Sequence, residues 1–475
     1  MSPGTEAAAA GGGNEVTSTA AETREASGRP LLAERLSRPF QRFFAIEAAS
    51  GVLLLGATVV ALVWANSPFG HAYEQLWHTE LAIHLGSWSL GLTLHEWVSD
   101  ALMTIFFFTV GLEIKRELAY GELSSRDRAM LPVLGALGGM VLPAAIYASV
   151  HWGEPTLRGW GIPMATDIAF AVTALSVFGA RVPPGLKVFL LALAIADDLG
   201  AVAVIAIFYT ADLSLPALGL AILGLGFCVL LNQIGVRAVA VYVVVGCFVW
   251  LAMLKSGVHA TVAGVALGFL TPARPLADPR PVMDRAHEIL AKLRELLHAG
   301  PHVDHHGHER HRLMRELAAL RHASMSPLDS LLTTLEPWVA FAIMPLFALA
   351  NAGVHLNAST FGDTTGMEVG LAVALGLLVG KPVGITLFAF GAIRSGLASM
   401  PRGVTWGQVF GTGVLAGIGF TVALFVTNLA FETQTYIDGS KIGILGGSFL
   451  ATVLGVFTLS RTLPRQPVGE PRSHG

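Results

Sequence analysis

Four ionisable residues stand inside long apolar stretches of this chain: Asp167, Asp197, Asp198 and Lys381. At the centre of a membrane helix such a group costs roughly 2.5–3.5 kcal/mol even on the lenient insertion scale, so it persists where it pairs, lines water or does chemistry. Asp197 and Asp198 lie in LALAIADDLGAVAV. Helix neighbours point about 100° apart, so one carboxylate can face a cavity while the other meets a partner in the bundle. Carboxylates crowded together out of water favour holding a proton. Their hard oxygens also suit small hard cations. One group can therefore hold either a proton or a cation, and that competition is what an exchanger requires.

Asp167 lies in GWGIPMATDIAFAV. Pro163 cannot continue a helical hydrogen-bond ladder, and Thr166 offers a hydroxyl to a freed backbone group. The expectation is a helix broken near the midplane, a form that needs protein or a cavity around it. Lys381 lies in LLVGKPVGITLF. A buried ammonium needs an anionic partner, and Asp197 and Asp167 are the candidates.

The elements that carry these groups follow from composition. The 475 residues are 53% hydrophobic and 13% charged, against about 25% charged in an ordinary globular domain. Mean hydropathy is +0.62. With 30 basic against 33 acidic residues the net charge is −3, which leaves no nucleic-acid footprint. Cys228 and Cys247 both lie in apolar segments, which excludes a disulfide framework. The fold class is an all-α polytopic membrane protein.

About twelve apolar segments are marked, near 43–65, 98–118, 130–150, 160–180, 184–209, 214–234, 237–255, 257–272, 337–354, 367–392, 405–430 and 441–461. Most approach the ~20 residues that cross a bilayer. The first reads as an uncleaved helix. With both ends cytoplasmic, the outer loops carry only Arg158, Lys255 and Lys441, and Lys381 sits within a span. All the other basic residues fall inside, as the positive-inside rule requires. The resulting division is a disordered tail 1–34, helices 1–8 in 35–272, a cytoplasmic loop 273–328, helices 9–12 in 329–463 and a short tail 464–475.

Three segments have their own texture. In the outer stretch 79–97, Leu81, Ile83 and Leu85 alternate, Gly86-Ser87-Trp88-Ser89 turns, and Leu90, Leu92 and Leu94 alternate. That is a β-hairpin pattern, and an apolar hairpin edge invites a second copy. The loop 273–328 holds half of the 16 histidines. Residues 284–299 and 309–322 are expected to be helical, and PHVDHHGHERH is a possible metal tract, although incidental histidines in a solvated loop are the plainer reading. In the eleventh span, Gly411, Gly413, Gly417 and Gly419 weaken the centre. Interrupted fourth and eleventh spans hold matching places in triplets 3–5 and 10–12, a pointer to inverted repeats with a site between them.

On these residues the chain resembles the NhaA family of bacterial Na+/H+ antiporters, for which that architecture is already described. The resemblance covers roughly 35–463. It rests on FFFTVGLEIKREL (106–118), GWGIPMATDIAFA (159–171), ADDLGAV (196–202), LKSGVHATVAGVALGF (254–269), EPWVAFAIMPLFALANAGV (336–354), GKPVGI (380–385) and GIGFTVALF (417–425). It implies electrogenic, pH-regulated exchange of cytoplasmic Na+ or Li+ for external protons by alternating access, active at alkaline pH. It implies a multi-pass protein of the bacterial inner membrane that is no enzyme, takes no cofactor, and forms a homodimer through the outer hairpin.

Residue by residue, the resemblance makes Asp198 the central ion-binding aspartate. Asp197 becomes the partner of Lys381, and Na+ sits at Asp198 and Asp197. Asp167 and Thr166 stand beside the crossed broken helices, with positive helix ends toward Asp167 and negative ends toward Lys381. Glu113 and Glu117, an acidic pair one turn apart, are the matching pH-sensor positions, with His259 a weaker one. Ordinary pairing with Lys115 or Arg116 competes with that role for the glutamates, and a satisfied histidine competes with it for His259. The family clusters acidic and histidine residues before the ninth span, where this chain has SPLDSLLTTLEPW with only Asp329 and Glu336. The rival readings are a carboxylate or bile-acid symporter of the same architecture, a passive channel and an intramembrane aspartyl protease built on Asp167 and Asp198.

Overall fold

The computed structural model describes residues 49–86, 88–210, 213–236, 239–273, 279–298, 305–356 and 362–464. The expected tail 1–34, the tail beyond Pro464, the start of the first apolar segment and the side chains of most of the PHVDHHGHERH tract lie outside the described residues.

Helices α1 (Ala49–Ala65) and α2 (Gly70–His78) are bent by 113° at their junction. Strands β1 (Glu80–Leu85) and β2 (Trp88–Thr93) follow, antiparallel, with Glu80 opposite Thr93 and Leu85 opposite Trp88. Trp88 and Ser89, expected in the turn, instead pair within β2. Gly86 supplies the positive φ of 63° that a tight hairpin turn needs. Helix α3 spans Leu94–Tyr120. It starts four residues before the apolar pattern does, because Thr93 and Glu96 form a capping box: Glu96 N donates to Thr93 Oγ1 and Thr93 N to Glu96 Oε2 at 2.7 Å.

The next elements are α4 (Arg126–Val150), a 3-10 helix (Pro155–Met164), α5 (Ile168–Ser176), α6 (Pro184–Phe208), α7 (Leu215–Gln233), α8 (Val239–Leu254) and α9 (Thr261–Leu270). Two helices, α10 (Pro279–His298) and α11 (His305–Ser324), occupy the histidine-rich loop. The last group is α12 (Pro327–Asn351), α13 (Thr364–Arg394), α14 (Trp406–Ala416), α15 (Phe420–Ala430) and α16 (Gln434–Thr462). Seven of these helices are long and apolar enough to cross a membrane, or nine if each bent pair counts as one span. The shorter apolar α8 and α9 add to them. With the interrupted segment 155–176, a helical element stands in each of the twelve apolar ranges. Exposed Val52, Val59, Leu223 and Phe449 belong to an outward apolar surface of the kind a bilayer covers.

Small residues let the helices touch. Gly264 and Gly268 of α9 lie against the backbone of Thr104, Phe108 and Gly111 in α3. Gly366 and Gly370 of α13 lie against Gly439 and Gly443 of α16. Both are four-residue glycine spacings, and any Cβ there would separate the pair. The packing sorts most helices into two groups. One holds α3, α7, α8, α9 and α12, and the other holds α4, α6, α13, α14 and α16 with the interrupted segments.

Lys441 corrects the reading of the outer loops. It lies inside α16, which starts at Gln434 rather than 441, and is 8% exposed. The polar run QTYIDGS hides the helix from a hydropathy scan, while Gly439 in that run makes the close contact with α13.

Candidate functional site

The two interrupted segments cross. The first passes from the 3-10 helix through extended Ala165 to α5, with Asp167 as N-cap. The second breaks at Gly417–Gly419 between α14 and α15, which differ in direction by 47°. Each break satisfies the other's freed backbone. Asp167 N donates to Ile418 O at 2.6 Å, and Thr166 Oγ1 donates to Ala416 O at 2.9 Å.

Asp167, 1% exposed, receives the N-terminal ends of both half-helices. Phe170 N donates to its Oδ1 at 3.2 Å, and Thr421 donates to its Oδ2 from both N and Oγ1. Helix N-termini attract a negative group in this way. Thr421 was missed by the sequence reading. It stands two residues beyond Gly419, as the first-turn hydroxyl of α15, and that position after a glycine break is the signal that marks it.

Lys381 is positioned by a local defect in α13. Residues Gly376–Gly380 form a π-turn, and Lys381 N donates to Gly376 O. Pro382 explains the defect, since its ring lacks an N–H and crowds the preceding turn. Gly376 and Gly380 then lie against Pro163 and Pro143, which aims the lysine at the crossing. Its Nζ donates to Asp197 Oδ2 at 2.6 Å and to Thr166 Oγ1. Of the two partners left open by sequence, Asp197 is the one in contact. Through Thr166 the ammonium is one hydroxyl away from Ala416 O, the C-terminal carbonyl of α14.

Asp197 and Asp198 sit side by side in α6 at 1% and 4% exposure. Asp197 Oδ1 is buried with no hydrogen-bond partner. Among the described residues no group donates to the Asp198 carboxylate, whose charged neighbours are Asp197, Glu113, Lys381 and Asp167. So Thr166, Lys381 and Asp197 form one bonded network, Asp167 is held separately by Phe170, Thr421 and Ile418, and Asp198 stands beside them unbonded.

Among the described residues, the remaining candidates make no hydrogen bond to this network. Glu113 and Glu117 are half-buried toward the end of α3. Arg116 approaches Glu336 at 3.9 Å, Lys115 donates to Phe269 O, and Glu117 accepts from Glu122 N at 2.8 Å. Neither Lys115 nor Arg116 is therefore taken up by this acidic pair. His259 sits 3.6 Å from Asp100 and 3.0 Å from Thr261 Oγ1, with its ring against Phe425. In the long loop, α10 and α11 pack through Ile289, Leu293 and Leu313 and are joined by Arg285–Glu316. Among the described residues no group of three or more His, Cys, Asp or Glu could hold a metal.

Crossed half-helices around a buried lysine–carboxylate network, inside a membrane bundle, define a secondary transporter rather than an enzyme. A family model described as Na+/H+ antiporter 1 matches residues 41–459. The chain belongs to that family. It is 46% identical over 437 residues to the Na+/H+ antiporter NhaA of Rhodopirellula baltica, covering 91% of this chain and 96% of that one. It is similarly 45% identical to Na+/H+ antiporter NhaA 2 of Sorangium cellulosum, over 90% and 92% of the two chains. To the Na+/H+ antiporter NhaA of Oleidesulfovibrio alaskensis it is 46% identical, over 92% and 96%.

Proposed function

We propose that this antiporter extrudes Na+ or Li+ from the cytoplasm in exchange for external protons, electrogenically and by alternating access. The single observation that carries the reading is the unbonded carboxylate of Asp198 beside the Lys381–Asp197 pair. A carboxylate without donors keeps its lone pairs for a cation or a proton, and the two occupants exclude each other. Asp197 Oδ1, also unpartnered, is the second oxygen offered to the ion.

Asp167 and Thr166 support the site rather than fill it, because both are already engaged across the helix crossing. Na+ binding at Asp198 neutralises the charge that opposes movement of the site through the apolar bundle. A proton does the same on the return. When Asp197 takes a proton, the Lys381 bond weakens and the second charge is released.

The protein sits in the bacterial inner membrane with both termini cytoplasmic, as the basic residues favour. It pairs with a second copy through β1 and β2, where Leu81 and Ile83 are 51% and 46% exposed. Glu113 and Glu117 line the cytoplasmic approach and are the alternative to direct proton competition at Asp198 as the source of pH control.

The test uses proteoliposomes with an acid interior, a pH dye, and added Na+, Li+ or K+. Wild type collapses the gradient with Na+ and Li+, and Asp198→Asn does not. If no cation collapses it between about pH 7 and 9, where an alkaline-active carboxylate site is deprotonated, the exchange reading fails and the symporter takes its place.

A further inference from the structure

A second polar cluster lies at the hairpin end of the bundle, away from the ion site. Its hub is Asn351, at the end of α12 and fully buried. Asn428 Nδ2 of α15 donates to Asn351 Oδ1 at 2.6 Å, and His95 Nε2 of α3 approaches the same oxygen at 2.9 Å. Asn351 Nδ2 is spent on Phe347 O in its own helix. Two residues on, Gly353 O accepts from Lys441 Nζ of α16 at 3.2 Å. Lys441 has no carboxylate within ion-pair distance among the described residues.

These bonds join the two helix groups. Asn351, Gly353 and His95 belong to or adjoin α12 and α3, whereas Asn428 and Lys441 belong to α15 and α16. The end of α12 is also held from its own side, by Tyr73 OH on Leu349 O at 2.8 Å and by Asn66 Nδ2 on Val354 O at 2.8 Å. It is therefore a fixed post. Asn428 and Lys441 are the groups that must let go of it if the second group moves.

The cluster also stands in line with the ion site. Asn428 lies seven residues, or about two turns, beyond Thr421 on the same face of α15. Between them Phe425 packs against Phe107 at 5.3 Å and Phe347 at 6.2 Å. On the hairpin side these aromatic contacts and polar bonds tie α15 and α16 to α3 and the end of α12.

We propose that Asn428 and Lys441, docked on Asn351 and the Gly353 carbonyl, are positioning residues that latch the outer side closed and so set the balance between inward- and outward-facing forms. The inference rests on the alternating-access reading above. Buried hydrogen bonds that must break in one state and not the other bias the equilibrium by their difference between states. The latch needs no change of protonation. The charged and titratable groups around it are His95 and Glu96 on α3, His78 on α2, and Lys441 and Asp438 on α16.

The test takes the full chain as wild type, Asn428→Ala, Lys441→Met and Lys441→Arg. The apparent KM for Na+ is measured separately on each face in inside-out and right-side-out vesicles. Backbone amide exchange is measured on the same purified proteins. Loss of either docking bond lowers the KM on the hairpin side by about three- to tenfold and raises it on the other side. Amide exchange quickens in 344–356 and 420–430 but not in 406–416, and Lys441→Arg behaves as wild type. Changes of KM in the same direction on both faces, or of less than about twofold on each, overturn the latch. If wild type exchanges no Na+, the transport reading has failed by itself. Amide exchange then still decides, since uniform or absent quickening overturns the latch independently.

Discussion

Lys381 and Asp197 are the pair whose energetics the site depends on. Both are buried and bonded at 2.6 Å. Removing one partner of such a pair strands the other charge and costs about 3–5 kcal/mol, whereas replacing both with apolar groups is often neutral. Lys381→Ala is therefore expected to lower the melting temperature and impair exchange, and Lys381→Met with Asp197→Leu to recover stability without exchange. An unchanged melting temperature in Lys381→Ala would count against the pair. Thr421 gives a second prediction at this scale. Thr421→Val keeps the shape but removes the hydroxyl bond to Asp167, and is expected to cost about 1–3 kcal/mol. Calorimetry on the purified variant checks it. Asp167, Asp197, Asp198 and Lys381 were legible in the sequence because an ion inside an apolar run is conspicuous. Thr421 was not, because a threonine in a membrane helix costs little and most simply bond their own i−4 carbonyl.

At the scale of elements, the breaks and the hairpin were readable and the defects were not. Pro163 and the Gly417–Gly419 pair announce where the half-helices end. The π-turn before Lys381 follows from Pro382, but a proline before or within a helix also gives an ordinary kink or a helix start, so sequence alone does not select it. The hairpin turn was read two residues too long because Trp88 and Ser89 have no apolar alternation of their own, while the pairing register places both in β2. Lys441 was misplaced for the related reason that QTYIDGS looks like a loop. The hairpin carries a prediction of its own. Among the described residues it touches none of the site residues, so replacing 80–93 by a short glycine linker is expected to weaken dimers and leave exchange intact. Crosslinking and exchange assays on the same vesicles check this, and wild-type dimer content after the replacement would refute the role.

For the whole molecule, the question is how the proposed loss of exchange at acidic pH would arise. Two accounts are open to this structure. In the first, protons simply compete with Na+ for the unbonded Asp198 carboxylate. In the second, a group outside the bonded network, such as Glu113 or Glu117, changes the conformation, as the place of Glu113 near Arg116 and Glu336 allows. The two separate cleanly at saturating sodium. Na+ needs the deprotonated carboxylate, so acid weakens its binding, and one competing proton raises the apparent KM about tenfold per pH unit below the site's midpoint, two protons about a hundredfold. Under pure competition the maximal rate stays constant, because enough Na+ displaces the protons. The expected outcome is a KM that climbs as pH falls while the maximal rate holds within about twofold, as population-shift arithmetic requires when no second state is stabilised. A maximal rate that collapses in wild type but holds in Glu113→Gln or Glu117→Gln would instead give control to the acidic pair. The same titration on a chain lacking 298–311 separates the histidine-rich loop. That loop packs on itself through α10 and α11, so its removal is expected to leave the midpoint where it was.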